Sequence, residues 1–247
     1  MRVPEVWLCE RGDVGKGVRI VQELLCLVGL GLKLDGDFGP ATEAAVKTFQ
    51  STMKQCLDGK QIVSGAVDTQ TGVLLLRKFR RMAEPSKFPT YRERIEDLMT
   101  RATCSGIREV GGQNRGPWVR FFMGGEDMMA WCAAFATELV VAAGAPLSKV
   151  MWNCNDIAAW AEREGRMTKP VAVGDLFLVP HAPGTVESDR RRGVGFAHVG
   201  IVAEVFDGQV IRTVEGNSND EGSPEGYEVA CRFRAVSSLR FVSMGQQ

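Results

Sequence analysis

The sequence predicts an α+β protein in which a small helical domain precedes a larger one made of helices first and strands afterwards. Three observations carry this. Apolar residues recur at the helical spacing of about 3.6 through the first two-thirds of the chain. From Gly174 onward they alternate instead, as on strands. Between two of the helical patterns, Met82-Ala-Glu-Pro-Ser-Lys-Phe-Pro89 carries two prolines and reads as a linker. The expected division is 1–82, a linker at 83–89, and a second domain over 90–247.

The elements follow in order. Val18, Val21, Leu24, Leu25 and Val28 mark a first helix, which Gly29, Gly31 and Asp35-Gly-Asp-Phe-Gly39 end. Pro40 suits a first helical position, where its missing N–H has no partner to lose, and Ala45, Val46, Phe49 and Met53 continue that helix. Asp68 is the expected N-cap of a third helix through Val73, Leu76 and Phe79. Thr90 with Glu93 fits a capping box before the stripe Ile95, Leu98, Met99 and Ala102. Further helices are expected at 116–123, 131–143 and 154–164, and strands at 174–179, 198–205, 210–215 and 227–233. Helices grouped before strands, with glycine-containing turns between the strands, imply an antiparallel sheet. No internal repeat or low-complexity tract stands out.

Composition excludes several classes. The 247 residues include 30 Lys plus Arg and 30 Asp plus Glu, a formal charge of zero that gives no support to a nucleic-acid partner. No run approaches the roughly 18 apolar residues of a membrane span. The seven cysteines form no CxxC pair, and only His181 and His198 are available as imidazoles, so a zinc site is hard to assemble. No cofactor or metal is expected. The first ten residues lack the apolar core of a signal peptide, which with the unpaired thiols points to synthesis in a cytoplasm. A monomer is expected.

Cys132, in Ala130-Trp-Cys-Ala-Ala-Phe135, falls where a helix should begin, and the positive end of a helix favours a thiolate. Cysteines are also among the most buried residues, so this position alone leaves a packing role open. His198 opens an alternating strand and stands with Gly200, Val202 and Glu204 on the less apolar face, where it suits either a base or a structural histidine. Glu215 ends the next strand and Asn217 follows. If the two strands pair, a carboxylate or amide reaches the second ring nitrogen, although Glu-Gly-Asn-Ser-Asn-Asp also reads as a turn. Leu34 to Gly39 lacks the continued acidic spacing and terminal Glu of a calcium loop and reads as a structural turn, and Arg190-Arg-Arg192 reads as a solvated loop.

Together, Glu109-Val-Gly-Gly-Gln-Asn-Arg-Gly-Pro117, Trp131-Cys132-Ala-Ala-Phe135, Gly174-Asp-Leu-Phe-Leu178, His198-Val-Gly-Ile-Val202 and Val214-Glu-Gly-Asn-Ser-Asn219 resemble the CHAP family, in the family's order. These are cysteine- and histidine-dependent amidohydrolases and peptidases with a papain-like fold. The resemblance implies Cys132 as nucleophile, His198 as general base, Glu215 as the residue orienting the histidine and Asn217 as a further polar member of the site. Gln22-Glu-Leu-Leu25, Leu34-Asp-Gly-Asp-Phe-Gly39, Thr42, Ala45-Val46 and Phe49-Gln50 are similar to a three-helix peptidoglycan-binding domain. Gly65-Ala-Val-Asp68 with Thr71 matches its second half, and Lys54–Ser64 is longer than the usual connection.

The pair resembles a modular bacteriophage endolysin held in the host cytoplasm until release, or an injected antibacterial effector. The implied partner is bacterial peptidoglycan. The implied reaction is cleavage of a wall amide, most directly the N-acetylmuramoyl–L-alanine bond, with endopeptidase cleavage of the stem or bridge peptide as the alternative. A wall-binding protein with a dead hydrolase domain is the non-enzymatic reading.

Overall fold

A computed structural model describes residues 6–56, 62–167, 170–181, 195–219 and 226–245. The helices are α1 (Lys16–Leu27), α2 (Pro40–Cys56), α3 (Thr69–Leu75), α4 (Arg77–Ala83), α5 (Tyr91–Cys104), α6 (Pro117–Phe122), α7 (Cys132–Ala142) and α8 (Cys154–Arg163). The strands are β1 (Leu176–Pro180), β2 (Phe196–Phe206), β3 (Val210–Ser218), β4 (Glu228–Ala235) and β5 (Arg240–Val242). The chain is mixed helix and antiparallel sheet, as its sequence predicts. It forms two compact units, 1–83 with 108–127, and 84–107 with 128–247.

In the first unit two buried glutamines organise two equivalent turns. The Gln22 side-chain amide donates to Asp35 Oδ1, the Asp37 carbonyl and Thr42 Oγ1, and its oxygen accepts from the Gly36 N–H. Gln50 repeats the pattern on Ser64, the Ala66 carbonyl and Thr71, and accepts from the Gly65 N–H. Each glutamine bonds turn groups that burial would otherwise strand without water. The two turns thus share one hydrogen-bonding pattern, which no apolar repeat in the sequence announces because it lies in single polar residues. Asp35 Oδ1 also accepts from the Asp37 N–H, so this carboxylate braces its own turn. Residues 57–61 of the Lys54–Ser64 connection lie outside the described residues.

The third predicted helix is broken at Leu76 into α3 and α4, with Asp68 capping α3 through the Thr71 N–H at 2.7 Å. Residues 108–127, which the sequence division assigned to the second domain, pack with the first. The physical cause is aromatic: Phe79 stacks on Trp118 at 3.8 Å between centroids, and Phe121 and Phe122 extend the cluster. Arg120 also pairs with the buried Glu23 carboxylate.

The second unit begins with a capping box. Thr90 Oγ1 accepts from the Glu93 N–H at 3.2 Å, and the Glu93 carboxylate accepts from the Thr90 N–H at 3.1 Å. The linker is tied to this helix, since Arg94 donates to the Phe88 and Pro89 carbonyls and Arg101 to that of Glu84.

The sheet order is β4-β3-β2-β1-β5, with every pairing antiparallel. Sequence alternation missed β5, whose three residues are too few to show a period. Both sheet faces are buried. Val199, Ile201 and Val214 lie on one, while Phe177, Val202, Ile211 and Phe241 form a core cluster on the other. The histidine's face is thus interior, contrary to the amphipathic strand expected. Asp175 fixes the start of β1: its carboxylate accepts from the Ala172 and Met244 N–H groups at 2.9 and 3.1 Å.

Gly216 lets α7 approach β3. A Cβ there would stand 2.6 Å from the Phe135 ring and 2.8 Å from that of Trp131, both fully buried. Gly216→Ala should therefore lower stability by about 1–3 kcal/mol and push β3 away from α7. Urea denaturation checks it, and an unchanged midpoint would contradict the close approach.

Candidate active site

Cys132 is the first residue of α7. The helix's first backbone bond runs from the Phe135 N–H to the Trp131 carbonyl, so the N–H groups of residues 132–134 precede the helical ladder. Together with the helix dipole they favour negative charge at the sulfur. β2 carries His198, two residues inside its first residue, Phe196.

β3 pairs with β2, Ile201 opposite Val214 and Val202 opposite Thr213, which places Glu215 alongside the histidine. Rather than ending at Glu215, β3 continues to Ser218 through a break in its register with β4. His198 Nε2 and Glu215 Oε2 stand 2.9 Å apart. Packing against Gly200 permits this, since a Cβ there would meet Phe177 at 2.7 Å and Glu215 Cγ at 2.9 Å.

Glu215 is fully buried and heavily bonded. Arg234, on β4, donates to both its oxygens at 2.6 Å, and the Thr213 hydroxyl donates to Oε1 at 2.6 Å. Burial alone would raise this carboxyl, but the Arg234 and His198 bonds bring it down to about 2. It is an anion at any working pH. Burial also opposes a charged His198, yet the Cys132 thiol and the Glu215 carboxylate raise it to about 9.

With Nε2 engaged by Glu215, Nδ1 is the nitrogen left for the thiol. It is buried and closes no hydrogen bond among the described residues. Catalytic pairs are commonly slack in this way before substrate arrives. Cys132 nevertheless feels the ring. Its thiol is held well below the ordinary range, first by its contact with Cys154 and then by the neighbouring His198 ring and its charge, against the effect of burial. The arrangement supports an imidazolium–thiolate pair.

Asn217 lies one residue past Gly216 in a left-handed conformation with φ of 54°, a region that asparagine tolerates. Its side chain is buried, and neither amide atom has a partner among the described residues. Its backbone carbonyl accepts from the Gly226 N–H at 3.2 Å. The other histidine, His181, follows β1, with its N–H bonded to the Gly195 carbonyl. Arg190 to Arg192 lie outside the described residues.

Sequence reasoning missed three contributors: Arg234, Thr213 and Cys154. The two arginines of Cys231-Arg-Phe-Arg234 do share one strand face, a signal that a buried acid on the neighbouring strand could need a cation. Cys154 opens the expected helix at 154–164, the same local setting as Cys132, and only the distance between the two sulfurs brings it into the site.

Two family models match the chain. The CHAP domain model matches residues 124–217, which include Cys132, His198, Glu215 and Asn217. A peptidoglycan binding domain model matches residues 14–72, which include both organising glutamines. Comparisons with curated proteins and with solved structures find no match. The chain thus joins an N-terminal peptidoglycan-binding domain to a CHAP domain, the cysteine- and histidine-dependent amidohydrolase/peptidase domain, and has the architecture of a peptidoglycan amidase or endopeptidase.

Proposed function

We propose that this protein cuts the amide between N-acetylmuramic acid and L-alanine in peptidoglycan, in an endolysin-like lysis of bacterial cells. The single observation that carries the mechanism is the Glu215–His198 contact at Nε2, which leaves Nδ1 to serve Cys132. In this reading the Cys132 thiolate attacks the amide carbonyl carbon. The backbone N–H groups at the start of α7 are placed to receive the developing oxyanion. The imidazolium gives its proton to the departing amine, and the acyl group stays on sulfur. Water, deprotonated by the now neutral ring, releases the acid and restores the thiolate. Asn217, buried with both amide atoms unengaged, is a further polar group for substrate or oxyanion.

The N-terminal domain holds the enzyme on an insoluble polymer and raises its local concentration there. Mass spectrometry of the soluble products of purified wall tests the bond assignment. Lactyl-ended sugars together with free L-alanine amines are expected. New amines within the stem or bridge instead would replace the amidase reading with endopeptidase activity.

A further inference from the structure

Cys154 is a buried thiol that the proposed mechanism does not use. It is the first residue of α8, and its sulfur stands 4.0 Å from that of Cys132. Two independent ties hold it there. The Thr137 hydroxyl, one helical turn along α7 from Ala133, accepts from the Met151 N–H at 3.0 Å and so fixes the approach to α8. Asn155 Oδ1 accepts from the Phe196 N–H at 2.8 Å, joining the start of α8 to the start of the histidine's strand. Asn153 caps α8 through the Asn155 N–H. The first turn of α8 is thus pinned both to the nucleophile's helix and to the base's strand, and Cys154 is what it presents.

We propose that Cys154 is a positioning residue for the nucleophile: its S–H donates to the Cys132 sulfur and, with His198, holds that sulfur as the reactive anion. The proposal rests on the reading of Cys132 as nucleophile. A thiol is a weak donor to neutral acceptors but a better one to an anion, because the bond is charge-assisted. The direction of donation follows from the surroundings of the pair: Cys132 neighbours the His198 imidazole, which can take its proton, so Cys154 is left as the donor. The shifts agree in direction, Cys154 upward and Cys132 downward.

Among the described residues, the charged and titratable groups that act on Cys132 are Cys154 from α8 and His198 from β2. Glu215 from β3 and Arg234 from β4 act on it through the ring. Of these, only Cys154 lies outside the His198–Glu215–Arg234 chain. Removing it takes away a donor without disturbing how the imidazole is held.

The test is the pH dependence of Cys132 alkylation by iodoacetamide, read on the Cys132 peptide by mass spectrometry in oxygen-free buffer. The full-length wild type is compared with Cys154→Ala, Cys154→Val and Cys154→Ser. Alanine and valine should both move the midpoint up by about one pH unit, a roughly ten-fold loss of reactivity on the acid limb, with the plateau unchanged. Serine keeps a donor and should shift it by less than half as much. A packing role would instead lower reactivity at every pH.

Alanine leaves a small gap and valine slightly overfills it, so a midpoint shift common to both does not come from packing. Superimposable profiles for wild type, alanine and valine would overturn the proposal, as would a serine shift equal to that of alanine. The readout needs no wall hydrolysis. A low wild-type midpoint in a protein that clears no wall would refute the hydrolase reading and leave Cys154's role standing.

Discussion

Cys132→Ala should abolish clearing of purified cell wall, with an expected rate loss of at least about 10³-fold, while the protein should still pellet with the wall. The loss follows from the chemistry, because no other group described at the site is poised to become the nucleophile. Cys154 is the nearest thiol, but its sulfur lies 4.0 Å away at the start of another helix, off the first turn of α7, and burial disfavours its thiolate. The substitution removes one sulfur from a well-packed position and should lower stability by only about 1 kcal/mol, leaving the fold intact. Circular dichroism and a denaturation curve establish that, and turbidity measures the rate. Stoichiometric alkylation of Cys132 should inactivate the wild type to the same extent. Clearing by Cys132→Ala at the wild-type rate would end the thiol mechanism.

Glu215→Gln has the next largest expected effect, because one carboxylate serves four donors. A carboxamide offers a single oxygen, so an N–H must turn toward Arg234 or toward the histidine. Breaking a buried pair from one side costs about 3–5 kcal/mol. Arg234 keeps partial contact with solvent, its side chain 22% exposed, which puts the expectation at the lower end. Hydrolysis should fall by roughly 10²–10⁴-fold as the ring loses its orientation and its imidazolium loses its counter-ion.

The pH behaviour has a definite sign. Glu215 sits at about 2 against an ordinary 4.5, so its contribution to stability is present above 4.5 and is lost as pH falls toward 2. His198 sits at about 9 against 6.5, so its contribution is complete below 6.5 and is lost as pH rises through 9. Between about 4.5 and 6.5 both act in full. Wild-type activity should fall above about pH 9, where the imidazolium can no longer supply a proton, and Glu215→Gln should move that limb downward. Urea denaturation at several pH values and a pH–rate profile check both claims. A variant with an unchanged alkaline limb would show that Glu215 does not act through His198.

Much of this site is legible in the chain because its members occupy local settings with physical meaning. Cys132 stands where an apolar helical pattern begins. His198 lies on an alternating strand, and Glu215 and Asn217 mark the edge of a turn-rich run on the next. Capping by Asp68 and by the Thr90–Glu93 box is equally local, and both form as their spacing predicts. What escapes is long-range or too short. β5 has three residues. The glutamine turns depend on partners 13 to 21 residues away. Residues 108–127 show an ordinary helical pattern, and only the aromatic stack on Phe79 reveals the unit with which they pack.

By itself the sequence determined most of the helices and the four longer strands, where the thiol sits on its helix and which family's segments the chain carries, since these depend on neighbours a few positions apart. Only the tertiary structure decided which ring nitrogen faces the carboxylate, that Arg234 holds that carboxylate anionic, and that a second thiol stands 4.0 Å from the first. Those are statements about ångström-scale proximity in a low-dielectric interior. Strand register and helix packing create that proximity, and no spacing along the chain encodes it.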